Sequence, residues 1–217
     1  VLAALRAAQD QQAELAPERL VPLAVDLETA LLGRPTGYQD FYPPLLGGCL
    51  GLEGRPGGVV AERLPVDLAA LTARRRLVWT GEPHVSGDTN WNTVRAVLDG
   101  EPATTAAIHQ IAEHARAVRE HLRAGDLDGA LAAVVKEGSV RRRMAPGVTT
   151  PTIDTLDEVV REAGAVGTKI LGAGGGGCVL VVLPGPEAAG VDEVLARGPW
   201  EALPLRLSPE GLRLQGA

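Results

Sequence analysis

Between Pro17 and Leu32 apolar residues recur every three to four positions, and Leu20, Leu23, Leu27 and Leu31 share one face. That spacing predicts a helix opened by Pro17 and ended by the breakers Gly33, Pro35 and Gly37. Val1 to Gln12 reads as an earlier helix of Ala and Leu with no cap before it. After Tyr38–Pro44, the runs Gly48–Leu52 and Val59–Leu64 flank turn residues Gly54–Gly58 and predict paired strands. A short helix over Asp67–Ala73 leads to a strand at Arg76–Thr80, and three helices fill Asp88–Met144, the last capped by Asp126. Pro151 opens a further helix to about Ala163. Glycines then precede an apolar strand, Cys178–Leu183, followed by a helix around Pro186–Arg197 and a hairpin-like pair, Ala202–Leu207 and Gly211–Leu214. Helices and strands alternate too irregularly for a doubly wound sheet. The pattern predicts an α+β fold with helices packed on a mainly antiparallel sheet.

Composition narrows the class. With 217 residues, 45% of them hydrophobic and 22% charged, the chain is long enough for a substantial core or two small ones. A net charge of −6 argues against a general nucleic-acid binder. Its dense basic clusters, Arg74–Arg76 and Arg141–Arg143, read as solvated faces. No apolar run is long enough to span a bilayer as a helix, so no membrane role is expected. Cys49 and Cys178 lack metal-ligand spacing and are expected to be buried, inert thiols in a reducing cytoplasmic setting. His109, His114 and His121 lie on a polar helix pattern, and only the last two share a face, two turns apart. Solvated helix surface is the expectation for them.

The densest local signal is Gly172–Gly177, five glycines and Ala173, leading directly into a strand. Its GxGxxG spelling is not a dinucleotide fingerprint, because that motif follows a strand and opens a helix. No Lys-Ser or Lys-Thr closes the run, so it is not a Walker loop either. Two readings remain: amides lining an anion site, or a tight connection that lets backbones touch. Asp40, in GYQDFY, is either a buried base or a solvated loop acid. Glu28, twelve residues earlier, forms a carboxylate pair with it in sequence. Such a pair can hold Mg2+ through one member while the other accepts a hydroxyl proton, although two acids alone are common.

Taken in order, GRPTGYQDFYPPLLGG, LVWTGEPHVSG and GVTTPTIDTLDEVVREAGAVGTKILGAGGGGCVLVVL resemble the GHMP small-molecule kinases, and most nearly the bacterial heptose phosphate kinases and fucokinase-like sugar kinases. The resemblance covers essentially the whole chain. It implies the later part of the family's N-terminal domain over residues 1–66, followed by a ferredoxin-like C-terminal domain over 67–217. It implies ATP and Mg2+ as cofactors and in-line transfer of the γ-phosphoryl to a hydroxyl of a sugar or sugar phosphate.

Residue by residue, the resemblance makes Asp40 the catalytic base and Glu28 the acid that helps hold Mg2+. It assigns the nucleotide side to Lys169, Gly172, Ala173, Gly174, Gly175, Gly176 and Gly177. Substrate contacts fall to Gly37, Gln39, His84 and Ser86. His84 stands where the sugar kinases tend to carry Arg, and an imidazole is not equivalent to a guanidinium. The family's Gly/Ser-rich phosphate loop, set at a helix N-terminus, has no counterpart in this sequence. The resemblance therefore implies a chain that is inactive alone and is completed by an upstream segment, in the same polypeptide or in trans, or that covers its open surface as a homo-oligomer. The alternative is a non-catalytic remnant that binds a sugar or a partner.

Overall fold

The computed structural model describes residues 16–33, 36–83 and 86–213. The helix expected over Val1–Gln12 lies outside them, as do His84, Pro35 and the last residue of the expected terminal hairpin, Leu214. The chain divides into two compact units, residues 1–68 with 207–217, and residues 69–206.

In the first unit, α1 (Pro17–Leu32) begins with Pro17 in its first turn and ends at Gly33, which takes the left-handed conformation (φ 63°). A 3-10 turn, Tyr38–Asp40, and a short helix α2 (Tyr42–Leu46) follow. Strands β1 (Cys49–Arg55) and β2 (Gly58–Leu64) then form an antiparallel hairpin in which Arg55 faces Gly58. Val21, Val25 and Tyr42 form the buried centre, with Phe41, Leu45 and Val59 among the residues against it. The leucine stripe is not the core-facing side of α1. Leu20, Val21 and Val25 are buried, whereas Leu23, Leu27 and Leu31 are exposed, Leu31 by 77%. Leu20 belongs to both the leucine stripe and the buried one.

The expected Ala202–Leu207/Gly211–Leu214 hairpin does not form over the described residues. The tail returns instead to the first unit. Ser208 O accepts from Gly48 N at 2.8 Å, Leu212 N donates to Pro44 O at 2.7 Å, and Arg63 donates to Pro209 O at 2.9 Å.

The second unit contains α3 (Leu68–Ala73), β3 (Arg75–Trp79), α4 (Ser86–Leu98), α5 (Pro102–Arg123), α6 (Leu127–Met144) and α7 (Pro151–Glu162). It continues with β4 (Gly167–Ile170), β5 (Cys178–Val182), α8 (Ala189–Arg197) and β6 (Glu201–Leu203). Its four strands form one antiparallel sheet in the order β4-β5-β3-β6. A β-α-β-β-α-β chain course in that order is the ferredoxin-like arrangement. Val78, Val179 and Val181 project from the sheet into a core with Ile153, Leu156 and Val160 of α7 and Val191 and Leu195 of α8. Leu180 and Val182, which alternate with Val179 and Val181, are buried too. A strand covered on both faces reads as a continuous apolar run, as CVLVVL does.

Asp126 caps α6 as expected, its carboxylate accepting from Gly129 N at 2.8 Å. It also pairs with His121 Nδ1 at 2.8 Å, so His121 is not simply solvated. The arginine clusters are structural rather than free faces. Arg74 donates to Leu183 O at 2.8 Å and pairs with Asp128, and Arg76 pairs with Asp192 at 2.7 Å. Cys49 and Cys178 are not joined in a disulfide, and both are half-buried rather than buried. Among the described residues no helix is long and apolar enough to cross a membrane.

Candidate functional site

The glycine run connects β4 to β5 through a loop that only glycine builds cheaply. Gly172, Gly174, Gly175, Gly176 and Gly177 all have positive φ, from 69° to 132°. At Gly174 a Cβ would overlap the Val148 carbonyl, and at Gly176 it would lie 2.9 Å from Pro83 O and 3.0 Å from Glu82 O. Crowding as well as dihedral preference therefore selects glycine. Two of the amides have internal acceptors: Gly175 N donates to Val148 O at 2.9 Å and Gly177 N to Glu82 O at 3.0 Å. The two sequence readings are thus not exclusive. The run is a tight backbone connection, and part of its donor capacity is already committed.

The segment after β3 forms one side of this packing. Thr80 is buried, and both its N–H and its hydroxyl donate to Gly177 O, at 3.0 and 2.9 Å. Glu82, two residues on, was not singled out by its sequence. Its carboxylate accepts from the Thr150 hydroxyl at 2.6 Å on one oxygen and from the Thr152 hydroxyl at 2.6 Å on the other. Thr150 is the N-cap of α7 and accepts from Ile153 N at 3.3 Å. The two hydroxyl donors hold the Glu82 carboxyl below its usual range. Its partners lie 68 and 70 residues further along the chain. With partners so distant, no local spacing in the sequence pointed to it.

On the strand side, Lys169 is paired with the buried Glu137 of α6, and a quarter of its side chain is exposed. Desolvation draws the Lys169 ammonium below its usual value; Glu137 opposes that shift, and Arg141 adds to it. Arg141 itself donates to Gly172 O at 2.6 Å, at the start of the run. Its neighbour Arg142 reaches Asp154 at 2.9 Å and the Thr168 hydroxyl at 2.7 Å, and Thr168 donates to Asp157 at 2.5 Å. The second arginine cluster therefore holds the helices, β4 and the glycine loop in register.

The remaining sequence-assigned residues belong to other segments of the chain. Ser86 opens α4 in the second unit, and His84 is outside the described residues. Glu28, Gly37, Gln39 and Asp40 belong to the first unit. Glu28 follows Val21 and Val25 on the same stripe of α1 and is half-buried there. Gly37 precedes the Tyr38–Asp40 turn, and Gly37, Gln39 and Asp40 are all exposed. Helix α1 packs against this turn, and the hydroxyls of Thr29 and Thr36 lie 3.5 Å apart. Of the two sequence readings of Asp40, the exposed loop acid describes its setting here.

Among the described residues no three His, Cys, Asp or Glu side chains cluster as a metal cage. Mg2+ in phosphoryl transfer does not need one, since one or two carboxylates together with nucleotide phosphates suffice. Glu28, half-buried, offers a hard carboxylate oxygen of the kind that ion takes, and so does the exposed Asp40.

The fold is that of the GHMP kinases, mixed helices and antiparallel sheets with the C-terminal domain of that group. Residues 118–197 match the family described as GHMP kinases C terminal. A mevalonate kinase of Pyrococcus abyssi is 38% identical over 71 residues, which span 33% of this chain and 21% of that protein. One from Aeropyrum pernix is 27% identical over 203 residues, spanning 86% of this chain and 62% of that protein. The crystal structure of a D-glycero-D-manno-heptose 1-phosphate kinase from Bacteriodes thetaiotaomicron superposes with a TM-score of 0.65 at 18% identity, covering 95% of this chain and 58% of that one. The chain thus spans less than two thirds of these relatives. Mevalonate kinases and a heptose phosphate kinase are thus both among the proteins this chain is similar to.

Proposed function

We propose that this chain forms part of an ATP-dependent small-molecule kinase that transfers the γ-phosphoryl of ATP to a hydroxyl of a sugar or sugar phosphate. The observation that carries the reading is the Gly172–Gly177 loop, closed against Thr80–Glu82 on one side and Val148 on the other, within a ferredoxin-like sheet. In this reading Asp40 orients the acceptor hydroxyl and takes its proton as the oxygen attacks phosphorus. The bond from the γ-phosphorus to the ADP oxygen breaks as the new one forms. Mg2+, when bound, neutralises charge on the nucleotide phosphates, and Glu28 is the residue proposed to hold it. The glycine run, with two amides bonded internally, acts as a wall beside the nucleotide more than as its sole cradle. Gly37, Gln39, His84 and Ser86 are proposed to face the acceptor. Lys169 is proposed to act on the nucleotide side, beyond its pairing with Glu137.

A second acceptor has its own support. The mevalonate kinase similarities extend over 86% of the chain in one case, which favours mevalonate as the hydroxyl compound to be tried beside sugars. The test is ADP formation by the full-length gene product with MgATP and each of mevalonate, hexoses and heptose phosphates in turn. Acceptor-dependent ADP release with one of them is expected. Absence of acceptor-dependent turnover together with absence of MgATP binding by titration would leave the non-catalytic binding module as the better reading.

A further inference from the structure

We infer that Glu82 is a positioning residue, a clasp that fixes the glycine loop by joining the two backbone segments between which the loop is held. One segment is the end of β3: Thr80 binds Gly177 O twice, and Glu82 O accepts Gly177 N at 3.0 Å. The other is the loop before α7: Val148 O accepts Gly175 N at 2.9 Å and packs against the Gly174 backbone. Neither segment alone sets the distance between the loop's two anchor points. Glu82 does, because its carboxylate takes the Thr150 and Thr152 hydroxyls at 2.6 Å each while its own carbonyl holds Gly177. The circuit closes through one side chain, and hydrogen bonds to an ionised acceptor are the stronger kind. The carboxylate also sits at the N-terminus of α7, where negative charge is favoured. Its consequence for nucleotide binding rests on the kinase reading; the clasp itself does not.

Three variants test it: E82A removes the carboxylate, the near-isosteric E82Q keeps its shape without its charge, and T152A deletes one bond while leaving the Thr150 cap. Amide hydrogen exchange on this chain is the primary readout. At Gly175 and Gly177 exchange should rise about tenfold or more in E82A and less in E82Q and T152A, with Val179 and Val181 of β5 unchanged. No rise at the loop, or an equal rise in β5, overturns the clasp. If E82A does not fold, E82Q and T152A decide on the same criterion. In the full-length enzyme, E82Q should raise the KM for MgATP several-fold and leave the KM for the acceptor unchanged. An unchanged MgATP KM in an active enzyme overturns the role in nucleotide binding. A wild-type protein that neither binds nor turns over MgATP overturns the kinase reading instead, with the clasp still judged by exchange.

Discussion

The two glycine-bearing segments that drew attention in the sequence do opposite things in the structure. Gly37 leads into an exposed turn with ordinary extended dihedrals (φ −99°, ψ 153°), and the nearest atom to a Cβ built there is Gln39 Cγ at 3.8 Å. Gly174 has φ +88° and no room for a Cβ beside Val148. Around Gly37 the backbone is undemanding, so what matters is which side chains the turn presents. Around Gly174 the side chains are absent and the backbone path is what matters. Substitutions should therefore separate into losses of rate at the first segment and losses of stability at the second.

If the proposed kinase reading holds, the largest effect is expected for Asp40→Asn in the full-length protein, a fall in kcat of about 10²–10⁴-fold, the usual range for loss of a positioned acid or base. Because Asp40 is exposed, the urea midpoint should stay where it is. Near-normal turnover would remove Asp40 from the site, and a large loss of stability would put it on the same footing as the glycine loop.

Next is Gly174→Val, which combines a left-handed backbone with overlap on the Val148 carbonyl. A loss of about 3 kcal/mol is expected by urea denaturation of this chain. Gly37→Ala is its control and should change stability by no more than about 0.5 kcal/mol. If the pair behave alike, the distinction between an open turn and a packed loop fails.

What was legible in the sequence follows the range of the interactions. Helix α1, the β1–β2 hairpin, the Asp126 cap and β5 are written in local periodicity and turn chemistry, and they lie where the pattern puts them. Strand β4 was not readable. Its four residues, Gly-Thr-Lys-Ile, carry no alternation of apolar and polar, because buried Thr168 is satisfied by Asp157 and Arg142 and Lys169 by Glu137. The arginine clusters were misread for a related reason: Arg76 meets Asp192 and Arg74 meets Asp128, partners brought close only by the fold. The glycine run could be located but its surroundings could not, since Glu82 and Val148 come from distant segments. Asp40 and Glu28 received their expected roles through motif resemblance, which identifies residue types without stating their exposure.

A smaller effect separates the Lys169 side of the loop from the Glu82 side. Lys169 is held below its usual value of 10.5, so between its folded value and 10.5 the unfolded chain binds more protons, and this group makes stability rise with pH. Glu137→Ala removes the partner that opposes the shift and should cost about 2 kcal/mol at neutral pH. The loss should shrink in alkali, where Lys169 no longer has to be charged. Urea midpoints at neutral and alkaline pH check this, and a loss that grows with pH would contradict the sign.

Glu82 should act with the same sign, but in the acid range and with the smallest amplitude. Its carboxyl lies below the ordinary 4.5 because the Thr150 and Thr152 hydroxyls favour the charged form. Over the interval between its folded value and 4.5 the unfolded chain again binds more protons, so the stabilisation is complete above 4.5 and is lost as pH falls through the folded value. Glu82→Gln has no such titration. The stability gap between wild type and this variant should therefore be constant near neutrality and close on acidification, when protonated Glu82 offers much the same neutral oxygen acceptor as the amide. The acid transition also separates a charged clasp from simple packing. A gap that persists unchanged into acid would mean that the shape of the side chain, and not its charge, joins α7 to the glycine loop.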